Sequence, residues 1–127
     1  MSKCQGVKNK RYKKLHVWQK AHEFVLLMYK YTESFPKHEQ FGLTSQIRRA
    51  ALSISTNIVE GQASMSKRDF LNFLNMSNRS LVETEYLMEI SRELGYLPKE
   101  KYAELENLQQ AVGGLLNGLI RSTKNRL

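Results

Sequence analysis

Residues 102–119 decide the fold class of this chain, and they read YAELENLQQAVGGLLNGL. Their large apolar side chains recur in steps of three and four, which places them on one stripe of a helix. The stripe consists of Tyr102, Leu105, Leu108, Val112, Leu115 and Leu119. A stripe of this length is typical of the seam between helices in a bundle.

Further apolar and small residues broaden this face of the helix. Leu116 and Ile120 lie beside the stripe, and Gly113, Gly114 and Gly118 lie among them. Each glycine inside a helix costs about 1 kcal/mol relative to alanine. A broad face with small residues favours the close approach of another helix, from the same bundle or a second subunit. Ordinary core packing around a bulky ring explains the pattern equally well.

Three other segments show the same helical spacing and are separated by turn signals. Pro36 and Pro98 punctuate the chain, Gly61 and Gly95 can each end a helix, and Ser66 with Asp69 three residues later resembles a helix cap. The predicted helices cover residues 15–33, 39–60, 66–94 and 98–122. Their short connections favour antiparallel neighbours, so the predicted fold is all-α, an up-down-up-down four-helix bundle.

The excess positive charge lies at the two ends of the chain. The net charge is +8, yet residues 21–120 carry ten basic and twelve acidic side chains. We therefore predict a flexible basic arm at residues 1–14 and a short basic tail at residues 123–127. The candidate phosphate-binding residues at these ends are Lys8, Lys10, Arg11, Lys13, Lys14, Lys20, Arg121, Lys124 and Arg126.

Clustered lysine and arginine bind polyanions because each neutralised phosphate releases condensed counterions. Tyr12 and Trp18 lie among these charges and would stack on bases, although a core position is the stronger expectation for Trp18. The alternative is a solvated tail that improves solubility. An anionic membrane surface is a weaker candidate, because the arm lacks an apolar face to insert.

Sites for catalysis or metal binding are not indicated by the sequence. A di-iron bundle needs two Glu-x-x-His pairs, which are absent, and the His22-Glu23 pair is followed by Leu26 where a zinc-protease helix has its second histidine. The sequence also lacks a nucleophile elbow and a phosphate-binding glycine loop. We therefore predict a protein that is not an enzyme and has no catalytic residue, metal or cofactor.

The cellular compartment is predicted from cysteine usage and hydropathy. A single cysteine, Cys4, cannot form an internal disulfide, which favours a reducing, cytoplasmic compartment. The longest aliphatic stretch, residues 25–28, is far shorter than the ~20 residues of a membrane span. We therefore expect no association with membranes.

An acidic row is predicted on the third helix. Glu85, Glu89 and Glu93 recur every four residues, where like charges repel by a few tenths of a kcal/mol per pair. Such rows are usually solvated. The functional alternative is a docking strip for arginines such as Arg48 and Arg49, from the same or another subunit.

Residues 42–61, GLTSQIRRAALSISTNIVEG, carry a family resemblance. They strongly resemble the signature of bacterial four-helix-bundle proteins encoded in intervening sequences of 23S ribosomal RNA genes. The pieces LHVWQKA at 15–21, FPKHE at 35–39 and LGYL at 94–97 are similar to that family and have its order and spacing. The chain departs from the usual pattern at Val59 and at residues 76–79.

The resemblance implies a cytoplasmic bundle that assembles as a ring-like homopentamer and binds nucleic acid, RNA or DNA. A related branch resembles the accessory variability determinant of diversity-generating retroelements, which partners a reverse transcriptase and its template RNA. The resemblance therefore implies two functions. The first is nucleic-acid binding without enzymatic activity, and the alternative is an adaptor for a reverse transcriptase.

Helical spacing divides the polar residues of the signature into two groups. A polar stripe beside an apolar seam often forms hydrogen bonds across helices or subunits, because a buried unpaired polar group costs about 1 to 3 kcal/mol. We therefore predict that this stripe serves structure or assembly rather than ligand contact. Its members are Gln46, Arg49, Ser53, Asn57 and Glu60. Arg48 lies outside the stripe and is the better candidate for contact with phosphate or a partner.

Overall fold

The structure is a computed structural model that describes residues 10–127, and within them it contains four α-helices and no β-strand. The helices are α1 (His16–Thr32), α2 (Leu43–Gln62), α3 (Lys67–Glu93) and α4 (Lys99–Asn125). Two short 3-10 helices, Lys10–Lys14 and Lys37–Glu39, precede α1 and α2. The predicted all-α class is confirmed.

Each helix packs against two others around one core. Helix α1 contacts α2 and α4, and α3 also contacts α2 and α4. The interior is filled by apolar side chains from all four helices, because burying them removes about 25 cal/mol of unfavourable hydration per Å². The largest fully buried apolar residues are Phe24, Met28, Ile47, Ile54, Ile58, Leu74, Met88, Leu105, Leu116 and Val112. The fold is therefore a four-helix bundle.

Local signals set several helix ends as the sequence predicts. The Ser66 side chain accepts a hydrogen bond from the Asp69 N–H at 3.1 Å and caps α3. Gly95 follows α3 with φ of +81°, a left-handed conformation that favours glycine. Pro98 occupies the position before the first residue of α4, where its missing N–H costs nothing.

The beginning of α2 and the role of Gly61 differ from the sequence prediction. Helix α2 begins at Leu43 rather than at residue 39, because residues 37–39 form a separate 3-10 helix and the Glu39 carboxylate accepts the Leu43 N–H at 3.1 Å. Gly61 does not end α2, which continues to Gln62. It instead permits close contact with α3.

The structure describes helical residues in both terminal segments. Residues 1–9 lie outside the described residues, but residues 10–14 form a 3-10 helix that contacts α1 and α2. The Lys13 carbonyl accepts a hydrogen bond from Gln19 at 2.8 Å, and the Tyr12 ring packs edge-on against Trp18. At the other end, α4 continues three residues past the predicted residue 122.

The buried stripe of α4 is rotated relative to the prediction. Leu115 is 40% exposed, whereas Leu116 and Ile120 are buried in the bundle. Buried Gln109 belongs to the observed stripe, where its side-chain amide donates to the Leu81 carbonyl at 3.3 Å. The apolar pattern missed this polar residue. Because Leu116 and Ile120 are buried within the bundle, they pack internally rather than against a second subunit.

Candidate functional site

Basic residues from the third and fourth helices meet at one end of the bundle. Lys67 Nζ, at the beginning of α3, lies 3.4 Å from the Arg126 carbonyl oxygen just beyond α4. This contact places Lys67 and the adjacent Arg68 beside the basic residues at the end of α4. The excess of charge at the chain termini did not point to either side chain, because both are distant in sequence from the termini.

The first helix brings the N-terminal basic residues to the same end. Near the end of α1, Tyr31 donates a hydrogen bond to Glu104 near the beginning of α4. His16 begins α1 and lies 15 residues before Tyr31, which is about 22 Å at 1.5 Å per residue. The same distance along α4 from Glu104 ends at Leu119, so the beginning of α1 lies beside the last turns of α4. The 3-10 helix at residues 10–14 therefore lies near the end of α4.

We call this region the basic end. It contains ten cationic side chains, namely Lys10, Arg11, Lys13, Lys14, Lys20, Lys67, Arg68, Arg121, Lys124 and Arg126. All ten residues are exposed. Only three acidic side chains, those of Glu23, Glu60 and Asp69, lie on the same portions of the helices, and the remaining described chain carries eight cationic and nine acidic side chains. The excess charge is thus concentrated at one end.

The basic end is largely free of ion pairs within the described residues. Lys20 pairs with Glu23 at 3.5 Å, and both side chains are about half exposed, so the pair contributes at most about 1 kcal/mol. The other nine cations form no salt bridge within residues 10–127. Lys8, also predicted to bind phosphate, lies outside the described residues.

Arg48 lies far from the basic end and is held by intramolecular contacts. Its Nε donates to Thr32 Oγ1 at 2.7 Å and its Nη2 donates to the Tyr29 carbonyl at 3.1 Å. Its guanidinium carbon lies 4.6 Å from the centroid of the Tyr29 ring, a cation–π geometry. The structure therefore separates Arg48 from the other predicted phosphate-binding residues.

The polar stripe of α2 divides into a bonded centre and exposed ends. Ser53 accepts a hydrogen bond from Ser80 of α3 at 2.9 Å and from Asn57 at 3.1 Å. Gln46, Arg49 and Glu60 are exposed. Among the described residues, Ser53 is thus the only member of the stripe that hydrogen-bonds to α3.

The acidic row on α3 is interrupted by internal contacts of its middle member. Glu89 accepts hydrogen bonds from Arg92 and Tyr102, the latter at 3.2 Å, whereas Glu85 and Glu93 are exposed. The Arg92 hydrogen bond, followed by that of Tyr102, lowers the pKa of Glu89. Burial and then the Glu89 carboxylate raise the pKa of Tyr102. Glu89 thus links α3 to α4.

A second carboxylate links two connecting segments at the end opposite the basic end. Glu39 accepts hydrogen bonds from the Leu43 N–H and from Tyr96 at 3.0 Å, and His38 Nε2 lies 3.8 Å from it. The backbone hydrogen bond of Leu43 is the main cause that lowers the pKa of Glu39, and Tyr96 adds to it. The Glu39 carboxylate in turn raises the pKa of Tyr96.

The described residues give no sign of a metal centre or membrane span. Among them, no three His, Cys, Asp or Glu side chains are grouped to hold a metal ion. No described helix is both long and apolar enough to cross a membrane.

Fold and charge together define a small all-α bundle with a strongly basic end, and comparison with known proteins identifies its family. The family model of the 23S rRNA-intervening sequence protein matches residues 13–118. The chain belongs to this family, so the predicted family resemblance is confirmed.

A solved structure is similar to the chain over most of its length. It is a protein of unknown function from the S23 ribosomal protein family of Bacteroides thetaiotaomicron VPI-5482, with 30% sequence identity and a TM-score of 0.75. The alignment covers 83% of this chain and 95% of that one. Comparison with curated proteins gave no match.

Proposed function

We propose that this protein binds the phosphate backbone of RNA or DNA through its basic end and catalyses no reaction. The contact between Lys67 and Arg126 carries the proposal, because it joins basic residues from separate parts of the chain into one surface. Ten exposed cations with three carboxylates nearby attract a polyanion, and each phosphate contact releases counterions.

Binding should depend little on nucleotide sequence. Contacts from lysine and arginine to phosphate fix position and orientation, whereas sequence is read at base edges. Nine of the ten cations of the basic end have no carboxylate partner within the described residues and remain available to phosphates. The proposed ligand is therefore defined by its charge and backbone.

The proposed assembly is a cytoplasmic, ring-like homopentamer of up-down-up-down bundles. The contacts of Lys67 with Arg126 and of Tyr31 with Glu104 support the antiparallel order, since each joins the end of one helix to the beginning of another. Exposed apolar side chains on the helices, including Leu26, Val82 and Tyr86, support association of subunits. Five basic ends on one ring would gain affinity through effective concentration.

The test compares two variants with equal loss of charge. K13Q/K14Q/R121Q/K124Q removes four cations from the basic end, whereas K30Q/K37Q/R79Q/K99Q removes four exposed cations from elsewhere. Affinity for a single-stranded RNA and a DNA duplex is measured from 50 to 300 mM salt. The first variant should bind more than tenfold more weakly. The slope of the logarithm of its binding constant against the logarithm of salt concentration should fall in magnitude by about 0.7 to 0.9 for each lost phosphate contact.

The control variant should lose less than about threefold, because it shares only the change in net charge. Equal losses in both variants would show that general charge attraction, rather than the basic end, causes binding. Unchanged affinity in both would reject the proposed function.

The exposed part of the acidic row favours a second candidate function, an adaptor for a protein such as a reverse transcriptase. Glu85 and Glu93 are exposed on α3. An acidic strip fits a basic protein partner. Loss of reverse-transcriptase capture in E85K/E93K, with RNA binding and assembly mass retained, would support the adaptor.

A further inference from the structure

A cationic groove of about 450 Å³ lies between the last turns of α1 and the first turns of α2. It lies toward the opposite end of the bundle from the basic end, and the 14 residues of α2 from Arg48 to Gln62 separate the two regions by about 21 Å. It is lined by Tyr29, Gln40, Phe41, Thr44, Ser45, Arg48, Arg49 and Leu52. This lining includes two arginines and no carboxylate, so the groove is suited to an anion.

Arg48 is oriented by the protein but keeps one donor group free. Its bonds to Thr32 and to the Tyr29 carbonyl use Nε and Nη2, and within residues 10–127 its Nη1 makes no hydrogen bond. The Tyr29 ring beneath the guanidinium restricts its movement further. A guanidinium that is held in place loses less entropy when it binds a phosphate.

Arg49 supplies a second cation on the same groove. It is exposed, and within the described residues it forms neither a hydrogen bond nor a salt bridge. Two carboxylates, Glu83 and Glu33, line adjoining grooves of about 320 and 310 Å³, and both lie outside the lining of the cationic one. Arg48 and Arg49 therefore face the same groove without a competing carboxylate in its lining.

The first turn of α2 adds unused hydrogen-bonding groups. The Leu43 N–H is bonded to Glu39, but within residues 10–127 the N–H groups of Thr44 and Ser45 have no backbone acceptor. Thr44 is only 8% exposed, lines the groove, and its Oγ1 is buried without a hydrogen-bond partner in the described residues. Backbone N–H groups left free at a helix N-terminus attract anions.

Phe41 provides an aromatic surface beside these donors. Its side chain is 92% exposed and lines the same groove as the two arginines. An isolated exposed aromatic ring offers a face on which a nucleobase stacks. The groove thus presents a site for a base next to a site for a phosphate.

From this juxtaposition we infer that the groove binds one nucleoside phosphate unit. The phosphate contacts Arg48 Nη1, Arg49 and the first turn of α2, while the base stacks on Phe41. The inference deepens the proposed function, because the unit is either the unstacked terminal nucleotide of a strand or a free nucleotide. It adds a site remote from the basic end that recognises the base as well as the charge.

The experiment titrates the isotopically labelled full chain with AMP, ribose 5-phosphate, adenosine and inorganic phosphate by NMR. AMP should bind about tenfold more tightly than ribose 5-phosphate or adenosine, since stacking and phosphate contacts add. The amides of Thr44 and Ser45 should shift most. Equal affinity for AMP and inorganic phosphate would overturn the inference, because the base would then contribute nothing.

Variants separate the two halves of the site. F41A should remove the advantage of AMP over ribose 5-phosphate, and F41W should restore it. R49Q should weaken both phosphorylated ligands about fivefold or more, and R79Q is the matched control at an exposed arginine on α3. A decrease in assembly mass for F41A, with unchanged AMP binding, would overturn the inference and assign Phe41 to a subunit contact.

Titration with an oligonucleotide shows whether the groove binds the end of a strand or a free nucleotide. It also separates a failure of the groove proposal from a failure of the proposed function. Weaker binding of a 5′-phosphorylated single strand by F41A identifies the terminal nucleotide as the ligand. AMP binding without any oligonucleotide binding would reject the proposed function but support the groove as a free-nucleotide site. Oligonucleotide binding without AMP binding would reject the groove and leave the basic end unaffected.

Discussion

Gly61 of α2 lies so close to Phe73 of α3 that a Cβ atom on Gly61 would be 2.8 Å from the Phe73 Cβ. The same atom would lie 3.1 Å from the ring of Phe70. Real Cβ atoms are not found at the shorter distance, so either the two helices or their side chains would have to move. The absence of a side chain at Gly61 therefore allows α2 and α3 to approach each other near the basic end.

Replacement of Gly61 by alanine should destabilise the bundle. Overpacking costs about 1 to 3 kcal/mol, and the better helix propensity of alanine offsets about 1 kcal/mol of that. We expect a net loss of up to about 2 kcal/mol in the free energy of unfolding, measured by urea denaturation. Gly114→Ala is the control, because nothing lies within 4 Å of a Cβ there.

Gly114→Ala should stabilise the protein by up to about 1 kcal/mol, because alanine lowers the entropy of the unfolded chain. Opposite signs for the two substitutions would establish the close approach at Gly61. A stabilising effect at both positions would contradict it.

Local signals explain why much of the fold was predictable from sequence. The cap at Ser66 and the left-handed Gly95 act within a few residues, so the sequence identifies them directly. Apolar spacing likewise predicted four helices. The same spacing predicted the wrong buried face for α4, where Gln109 is buried and Leu115 is exposed. A stripe of apolar residues omits Gln109, whose side chain is buried because it hydrogen-bonds to the Leu81 carbonyl of α3.

The candidate sites depend on contacts that are distant in sequence. Lys67 joins the C-terminal cations only because α3 and α4 meet at Arg126. Phe41 and Arg49 share a groove with Tyr29 because α1 packs on α2. Charge counting therefore predicted that both termini of the chain are basic. It did not predict that both termini lie at the same end of the bundle, or that a cationic groove lies toward the opposite end.

A buried hydrogen bond between α2 and α3 leads to a second prediction. Ser77 is fully buried, and its hydroxyl donates to the Ile54 carbonyl at 2.8 Å. Ser77→Ala should lower the free energy of unfolding by about 1 kcal/mol, the usual net value of one hydrogen bond. Ser80→Ala breaks a half-buried bond to Ser53 and should cost less, because water can replace it. A larger loss at Ser80 would contradict this ranking.

The contacts of Glu39 predict a dependence of stability on pH. Its pKa is lowered in the folded protein by the Leu43 N–H and by Tyr96, so the folded state binds its proton less readily than the unfolded state does. The stabilising contribution is complete above the ordinary glutamate pKa of about 4.3 and is lost as pH falls through the lower folded pKa. Glu39→Gln should therefore destabilise the bundle more at pH 7 than at pH 3. An effect independent of pH would contradict an ionic role.

The proposed pentamer predicts a solution mass five times that of one chain in sedimentation equilibrium at micromolar concentration. Val82 and Tyr86 lie one turn apart on α3 and are 57% and 67% exposed, so they are the expected contacts between subunits. V82K/Y86K should reduce the mass without unfolding the helices, because neither side chain belongs to the core and buried charges oppose association. L94K is the control, at another exposed apolar residue beyond the end of α3. A monomer for the unmodified chain would reject the pentamer, and a full-mass V82K/Y86K variant would place the subunit contact elsewhere.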